Sequence, residues 1–327
     1  MLLLVFTGGT ISMKIDPRLR AAVPVLSGRE IVDLVPGLNE LAEYQIVDFA
    51  RLAGPQMTPS KMFELSDLLI RELARPEITG AVVTHGTDTL EETAYLLDLR
   101  LTTDKPIVVT GALRNGSELG WDGPANLYSA ARTALDECAP KQGVFVVLND
   151  TVHAASEVTK ADTQSLGAFQ SPIFGPLAIV EKDGLFWRRR LLQRQTITAK
   201  TYEPRVDLIK VVAGSDGHLL ECAATAGAAG IVIEGTGRGN VPPSMLPSIQ
   251  KVLDAGVTVV IASRCFAGRV LDTYGYEGSG QDLRRRGCVF AGILPGQKAR
   301  IKLMLALGQT RDRDHLRALF EADGYRC

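Results

Sequence analysis

The sequence has little of what would tie it to nucleic acid, a membrane, a metal or a disulfide scaffold. Lysine plus arginine (36) nearly balances aspartate plus glutamate (37), so no long-range field of one sign favours nucleic acid or an anionic membrane. A small neutral or zwitterionic ligand fits better. The five cysteines, Cys138, Cys222, Cys265, Cys288 and Cys327, are scattered, odd in number and never spaced as CxxC. That pattern argues against a disulfide framework or a zinc site, and a reducing compartment is the simpler reading. No apolar run reaches transmembrane length, because glycine, proline or a charge interrupts each one. The amino terminus runs MLLLVF straight into TGG, without a basic leading region, a signal-length apolar stretch or a small-residue cleavage site. A cytoplasmic location is expected. Repeats and low-complexity segments are absent as well.

At 327 residues the chain exceeds what one hydrophobic core usually organises, so two domains are expected. Short Val- and Ile-rich runs recur at Leu2 to Phe6, Ala81 to Val83, Ile107 to Val109 and Val144 to Leu148. Between several of them lie helical spacings, such as Met62, Leu65, Leu69 and Leu73, or the segment Pro124 to Leu135. Buried strands alternating with amphipathic helices predict an α/β fold, a mainly parallel sheet flanked by helices. This larger N-terminal domain is expected over 1–187. A polar, arginine-rich connection over 188–204 carries Arg188, Arg189, Arg190 and Arg194 and reads as a solvated linker or a subunit contact. Over 205–327 the alternation resumes, with strands at Asp207 to Val212, Ile231 to Glu234 and Val257 to Ala262. Helices are expected there at Pro243 to Leu253, Lys298 to Leu307 and Asp312 to Phe320, giving a smaller α/β domain.

Ligands of open parallel sheets bind beyond the carboxyl ends of the strands, which directs attention to three loops. Thr7-Gly8-Gly9-Thr10-Ile11 combines two glycines, which permit a tight turn, with two hydroxyls. Thr84 to Glu92 leads into a helix; Asp88 with Glu91 reads as a capping-box variant, which leaves His85 and Thr87 unexplained. Val158 to Thr163 places Lys160 in a threonine-rich turn, where a lone lysine is ordinarily solvated. Together the loops supply a hydroxyl nucleophile, a second hydroxyl near a lysine, and a carboxylate suited to an ammonium group. A threonine hydroxyl needs a neighbouring base, and Lys160 serves if burial lowers its pKa. No GxSxG elbow, HExxH, GxGxxG or GxxxxGK[ST] motif occurs, which disfavours a classical serine hydrolase, a zinc protease and a phosphate cradle.

The segments TGGTI (Thr7 to Ile11), HGTDTLEET (His85 to Thr93), TGALR (Thr110 to Arg114), DGPANLY (Asp122 to Tyr128) and VTKADT (Val158 to Thr163) stand in a diagnostic order. With GRGN (Gly237 to Asn240) and GQKARI (Gly296 to Ile301), the chain resembles the bacterial-type L-asparaginases over nearly its whole length. The resemblance implies an amidohydrolase that converts L-asparagine to L-aspartate and ammonia without a cofactor or metal. By it, Thr10 attacks the side-chain amide carbon to form an acyl-enzyme. Thr87 and Lys160 relay a proton and activate either hydroxyl or water, and Asp88 pairs with the substrate ammonium. The amides of Gly9 and Thr87 donate to the oxyanion, the carbonyl of Ala112 contacts the leaving nitrogen, and Gly86 belongs to the same wall. The resemblance also implies a homodimer or homotetramer whose sites combine two subunits, with Asn240 contributed from the smaller domain. Asn240 reads equally as a helix-capping residue ahead of Pro242 and Pro243.

Two departures stand out. The loop after TGGTI normally carries an activating tyrosine, but here no tyrosine precedes Tyr44; Tyr274, Tyr276 and Glu277, in a Gly-rich segment of the second domain, read either as a plain surface loop or as candidates to reach a neighbouring site. Where relatives hold the substrate carboxylate with hydroxyl and amide side chains, this chain reads Ala53-Gly54-Pro55-Gln56-Met57. Pro55 has no N–H to donate, which leaves Gln56 as the substitute within the substrate wall of Gly54, Pro55 and Gln56. The alternatives are a hydrolase of glutamine or another small amide, a non-catalytic amino-acid-binding homologue and, more remotely, a dinucleotide-binding oxidoreductase.

Overall fold

The computed structural model describes residues 1–321, so Cys327 lies outside the described residues. The chain forms two compact units, Met1–Thr196 and a second beginning at Ile197, a division that falls within the 188–204 connection. No described helix is long and apolar enough to cross a membrane.

The first unit holds β1 (Leu2–Gly8), β2 (Met13–Asp16), β3 (Ala21–Pro24), β4 (Tyr44–Leu52), β5 (Gly80–Thr84) and β6 (Ile107–Thr110). It continues with β7 (Val144–Leu148), β8 (Thr151–Ala154), β9 (Thr159–Lys160), β10 (Phe169–Gln170), β11 (Ala178–Val180) and β12 (Leu185–Trp187). Its helices are α1 (Gly28–Val32), α2 (Leu38–Leu41), α3 (Pro59–Leu73), α4 (Leu90–Arg100) and α5 (Gly123–Leu135). The main sheet runs in the order β12-β11-β8-β7-β6-β5-β1-β4. Strands β4, β1, β5, β6 and β7 are parallel, and β8, β11 and β12 extend the sheet antiparallel. β1, β5, β6 and β7 are buried along their full length, which is why each reads as an unbroken apolar run rather than an alternating one.

α3 follows the sequence expectation closely. Thr58 caps it by accepting from the Lys61 amide, Pro59 opens it, and Met62, Leu65, Leu69 and Leu73 form its buried stripe. α4 is buried on nearly every side, Glu91 and Asp98 included, so its sequence lacks a clean amphipathic stripe.

The arginines of the connection are corrected by the structure, because two of them are anchored rather than solvated. Arg189 pairs with Glu157, and Arg194 pairs with Asp98 at 2.9 Å while also donating to the Asp98 and Leu101 carbonyls. The cause lies in the carboxylates, whose side chains are only 2% and 5% exposed and are stabilised there by a cation.

The second unit contains a four-stranded parallel sheet of β13 (Val206–Lys210), β14 (Gly230–Gly235), β15 (Thr258–Ser263) and β16 (Val289–Phe290), in that order. Its helices are α6 (His218–Thr225), α7 (Leu246–Asp254), α8 (Gly280–Arg286), α9 (Gly296–Gln309) and α10 (Arg313–Glu321). The core of this unit gathers Ile231, Ile233, Val259 and Ile261 from the sheet and Ile249, Val252 and Leu253 from α7.

Candidate active site

Parallel packing sets the carboxyl ends of β1, β5 and β6 side by side, and glycines bring their loops into backbone contact. Gly9 has φ 81°, and a Cβ there would lie 2.4 Å from the Gly86 nitrogen. A Cβ on Gly86 would lie 2.6 Å from the Gly54 nitrogen and Cα, and one on Gly111 only 2.4 Å from the His85 carbonyl oxygen. No side chain fits in these gaps, so the four loops interlock only because glycine occupies each one. Thr7 Oγ1 donates to the Thr84 carbonyl at 2.8 Å, and Thr89 Oγ1 to the Gly54 carbonyl at 2.7 Å, which ties the same loops together. Thr10, half-buried, opens a short turn over Thr10–Ser12, and Ser12 closes it with Oγ on the Gly9 carbonyl at 2.8 Å.

Lys160 reaches this cluster from β9, which pairs with β10 after the added strand β8, so it stands in a small hairpin rather than in the turn directly after β7. Its Nζ donates to Thr87 Oγ1 at 3.0 Å and to Asp88 Oδ1 at 2.8 Å. Glu91 accepts from Thr159 Oγ1 at 3.1 Å and from the Lys160 amide at 3.2 Å, fixing the strand that carries the lysine. This replaces the capping-box reading. Asp88 pairs with Lys160, Glu91 holds β9, and Thr89 stands at the helix N-cap with its hydroxyl on Gly54. Glu91 is thus a site residue that sequence reasoning assigned to helix capping.

His85 is fully buried between the Gly86 carbonyl at Nδ1 (2.8 Å) and Thr93 Oγ1 at Nε2 (2.8 Å). Burial pushes its pKa down to about 4, so it is neutral at pH 7. These contacts assign the tautomer with the proton on Nδ1, donating to Gly86, and give His85 the task of supporting the loop behind Thr87.

The backbone donors differ from those the resemblance implies. The Gly9 amide donates to the Leu52 carbonyl at 2.7 Å, which removes it as an oxyanion donor. The amides of Thr10 and Thr87 carry no hydrogen bond within the described residues and are the available pair. Ala112 is fully buried, so its carbonyl is closed to solvent in this conformation. Gln56 Oε1 accepts from the Ala53 amide at 2.9 Å, which orients the side chain and leaves its NH₂ group as a donor beside Gly54 and Pro55.

Tyr44 is excluded as an activating group. It begins β4 opposite Leu2, whereas Thr10 lies beyond Gly8 at the other end of β1, a separation of roughly 20 Å at strand rise. Asn240 and Glu277 belong to the second unit. Asn240 does not cap a helix: its amide and carbonyl pair with Thr236, Pro242 stands at the start of the next turn, and its buried Oδ1 has no partner among the described residues. Tyr274 and Tyr276 stack at 5.8 Å between ring centroids and are exposed, as is Glu277.

Residues 1–193 match the family described as Asparaginase, N-terminal, and residues 205–320 match the Glutaminase/Asparaginase C-terminal domain. The chain is 35% identical to the L-asparaginase of Bacillus licheniformis, over 94% of this chain and 96% of that one. It is 36% identical to a probable L-asparaginase of Deinococcus radiodurans, over 98% of this chain and 96% of the other. Its structure is similar to the crystal structure of a probable cytoplasmic L-asparaginase from Campylobacter jejuni, with a TM-score of 0.88, 30% identity and 98% coverage of both chains. With both of its units matched in this way, the chain belongs to the asparaginase family.

Proposed function

We propose that the protein hydrolyses the side-chain amide of L-asparagine to L-aspartate and ammonia, with Thr10 as the nucleophile. The observation that carries this reading is Lys160 hydrogen-bonded to both Thr87 and Asp88, on a loop whose Gly86 packs against the Thr10 loop. Thr10 Oγ adds to the amide carbon, and the developing oxyanion takes the free amides of Thr10 and Thr87. The Thr10 hydroxyl proton passes by way of the Thr87 hydroxyl to the nitrogen, which leaves as ammonia and gives a threonyl ester; water then cleaves the ester, releasing the acid and restoring the Thr10 hydroxyl. Because Lys160 donates to Thr87 Oγ1, the Thr87 hydroxyl hydrogen is directed elsewhere, free to be passed to the reacting groups. Asp88, with one oxygen held by Lys160, offers the other to the substrate ammonium, while the Gln56 NH₂ group serves the carboxylate.

The assembly proposed is a homodimer or homotetramer, working in the cytoplasm, in which Asn240 and Glu277 come from a second copy. Ammonia release from asparagine tests the chemistry. Wild type is expected to release it and Thr10→Ala is not; full activity in Thr10→Ala sinks the mechanism. Mixing inactive Thr10→Ala with inactive Asn240→Ala tests the assembly, since shared sites recover activity on mixing and self-contained ones do not.

A further inference from the structure

The segment Asp122 to Tyr128 has no part in the chemistry above, yet it grips the loop behind Thr87. Gly111, at the end of β6, packs against Thr87 closely enough that a Cβ there would lie 3.4 Å from Thr87 Cγ2. On both sides of Ala112 this loop is held by side chains from the start of α5. Asp122 accepts from the Leu113 amide at 3.0 Å and from the Arg114 amide at 2.9 Å. Asn126, buried one turn later, donates from Nδ2 to the Gly111 carbonyl at 3.0 Å and to Asp122 Oδ2 at 2.9 Å. Its Oδ1 accepts from the Asn149 amide at 2.9 Å, in the turn between β7 and β8. Asp122 occupies the N-cap position of α5 but makes no capping bond. A cap there would contribute about 1 kcal/mol to the helix, and the carboxylate is committed to the loop instead.

We infer that Asp122 and Asn126 form a positioning pair that fixes Gly111 to Arg114 and, through Gly111, sets the Thr87 hydroxyl for reaction. The inference rests on the proposed roles of Thr10 and Thr87. Its physical basis is that catalysis by a positioned hydroxyl is steep in distance, a 1 Å displacement costing on the order of 100-fold in rate. The pair is also complementary in a way that isosteric exchange breaks. Asp122→Asn turns an NH₂ group toward either the loop amides or Asn126, and Asn126→Asp sets a carboxylate against Asp122 and the Gly111 carbonyl. The double exchange restores one donor and one acceptor between the two positions, at the cost of the donor to the Gly111 carbonyl and of the shorter of the two Leu113 amide bonds, the one at 3.0 Å to Oδ2.

The test is asparagine turnover by wild type, both single exchanges and the double exchange, at a temperature where circular dichroism reports each one folded. Each single exchange is expected to lower kcat at least about tenfold while KM moves less than about threefold, and the double exchange to recover at least about threefold over the worse single. If Asn126→Asp does not fold, the uncharged Asn126→Ser takes its place, with the same loss expected. Wild-type kcat in folded single variants with a lowered melting temperature means a structural role only and overturns the inference. A double variant no better than the product of the two losses overturns the pairing. Activity lost in Thr10→Ala but kept in Asp122→Asn sinks the positioning pair alone, whereas wild type inactive on asparagine sinks the proposed function and this inference with it.

Discussion

Each unit is a parallel sheet layered with helices, and each places a lysine away from bulk water, but the two are accommodated in opposite ways. Lys160, with its side chain 15% exposed, spends hydrogen bonds on Thr87 and Asp88. Lys302, in α9, is 4% exposed, lies 4.9 Å from the Phe320 ring centroid and makes no ion pair among the described residues. Burial pushes its pKa down to about 7. An amine held in a polar network can serve chemistry, whereas one buried without an ion pair mainly costs stability.

The strongest way to break this contrast is to remove each lysine in turn. Lys160→Met is expected to lower kcat about 1000-fold or more, roughly 4 kcal/mol of transition-state stabilisation, and retained turnover would strip Lys160 of its role. A buried group of the first unit comes next in size. His85 takes up its proton near pH 6.5 when unfolded and only near 4 when folded, so the unfolded chain binds the extra proton between these values. Its contribution is complete above pH 6.5 and falls by about 3 kcal/mol as pH drops to 4. Denaturant melts across this range should reveal the decline, and His85→Gln should flatten it.

Lys302→Met is expected to leave kcat unchanged and to raise stability at pH 7 by about 1–3 kcal/mol. The lysine titrates near 10.5 unfolded and about 7 folded, so stability is lost as pH falls through that window. The advantage of the methionine variant should therefore shrink as pH rises toward 10.5, and a constant advantage would argue against a buried neutral amine. The smallest effect is expected at Glu91→Gln, which weakens the hold on Thr159 and the Lys160 amide. A kcat loss of about tenfold, with little change in KM, would mark Glu91 as part of the lysine's support.

Much of this architecture is legible in the sequence because its signals are local. Unbroken apolar runs announce β1, β5, β6 and β7, and the stripe of Met62, Leu65, Leu69 and Leu73 announces α3. The antiparallel strands β8, β11 and β12 are too short for periodicity to reveal, although Asn149-Asp150 between β7 and β8 carries a turn signal, with both residues at positive φ. The threonine motifs and Lys160 point to loops that the fold brings together, since hydroxyls and a lysine after buried strands are chemically conspicuous. What stays hidden depends on partners distant in the chain. Glu91 reads as a helix cap until β9 folds against it, and the Gly9 amide reads as a free donor until Leu52 takes it. Arg189 and Arg194 read as solvated because their carboxylates lie far upstream.

Those two arginines decide how the chain can be cut. A fragment carrying the first unit alone and ending at residue 187 would keep Glu157 and Asp98 but discard both guanidinium partners. Asp98 keeps its bond from the Val144 amide at 3.0 Å, but breaking a buried ion pair by removing its cation costs about 3–5 kcal/mol, comparable to the whole stability of many domains. A fragment extended to Thr196 keeps both ion pairs, so the tail of the first unit behaves as a strap whose loss would unbuckle the domain it ends.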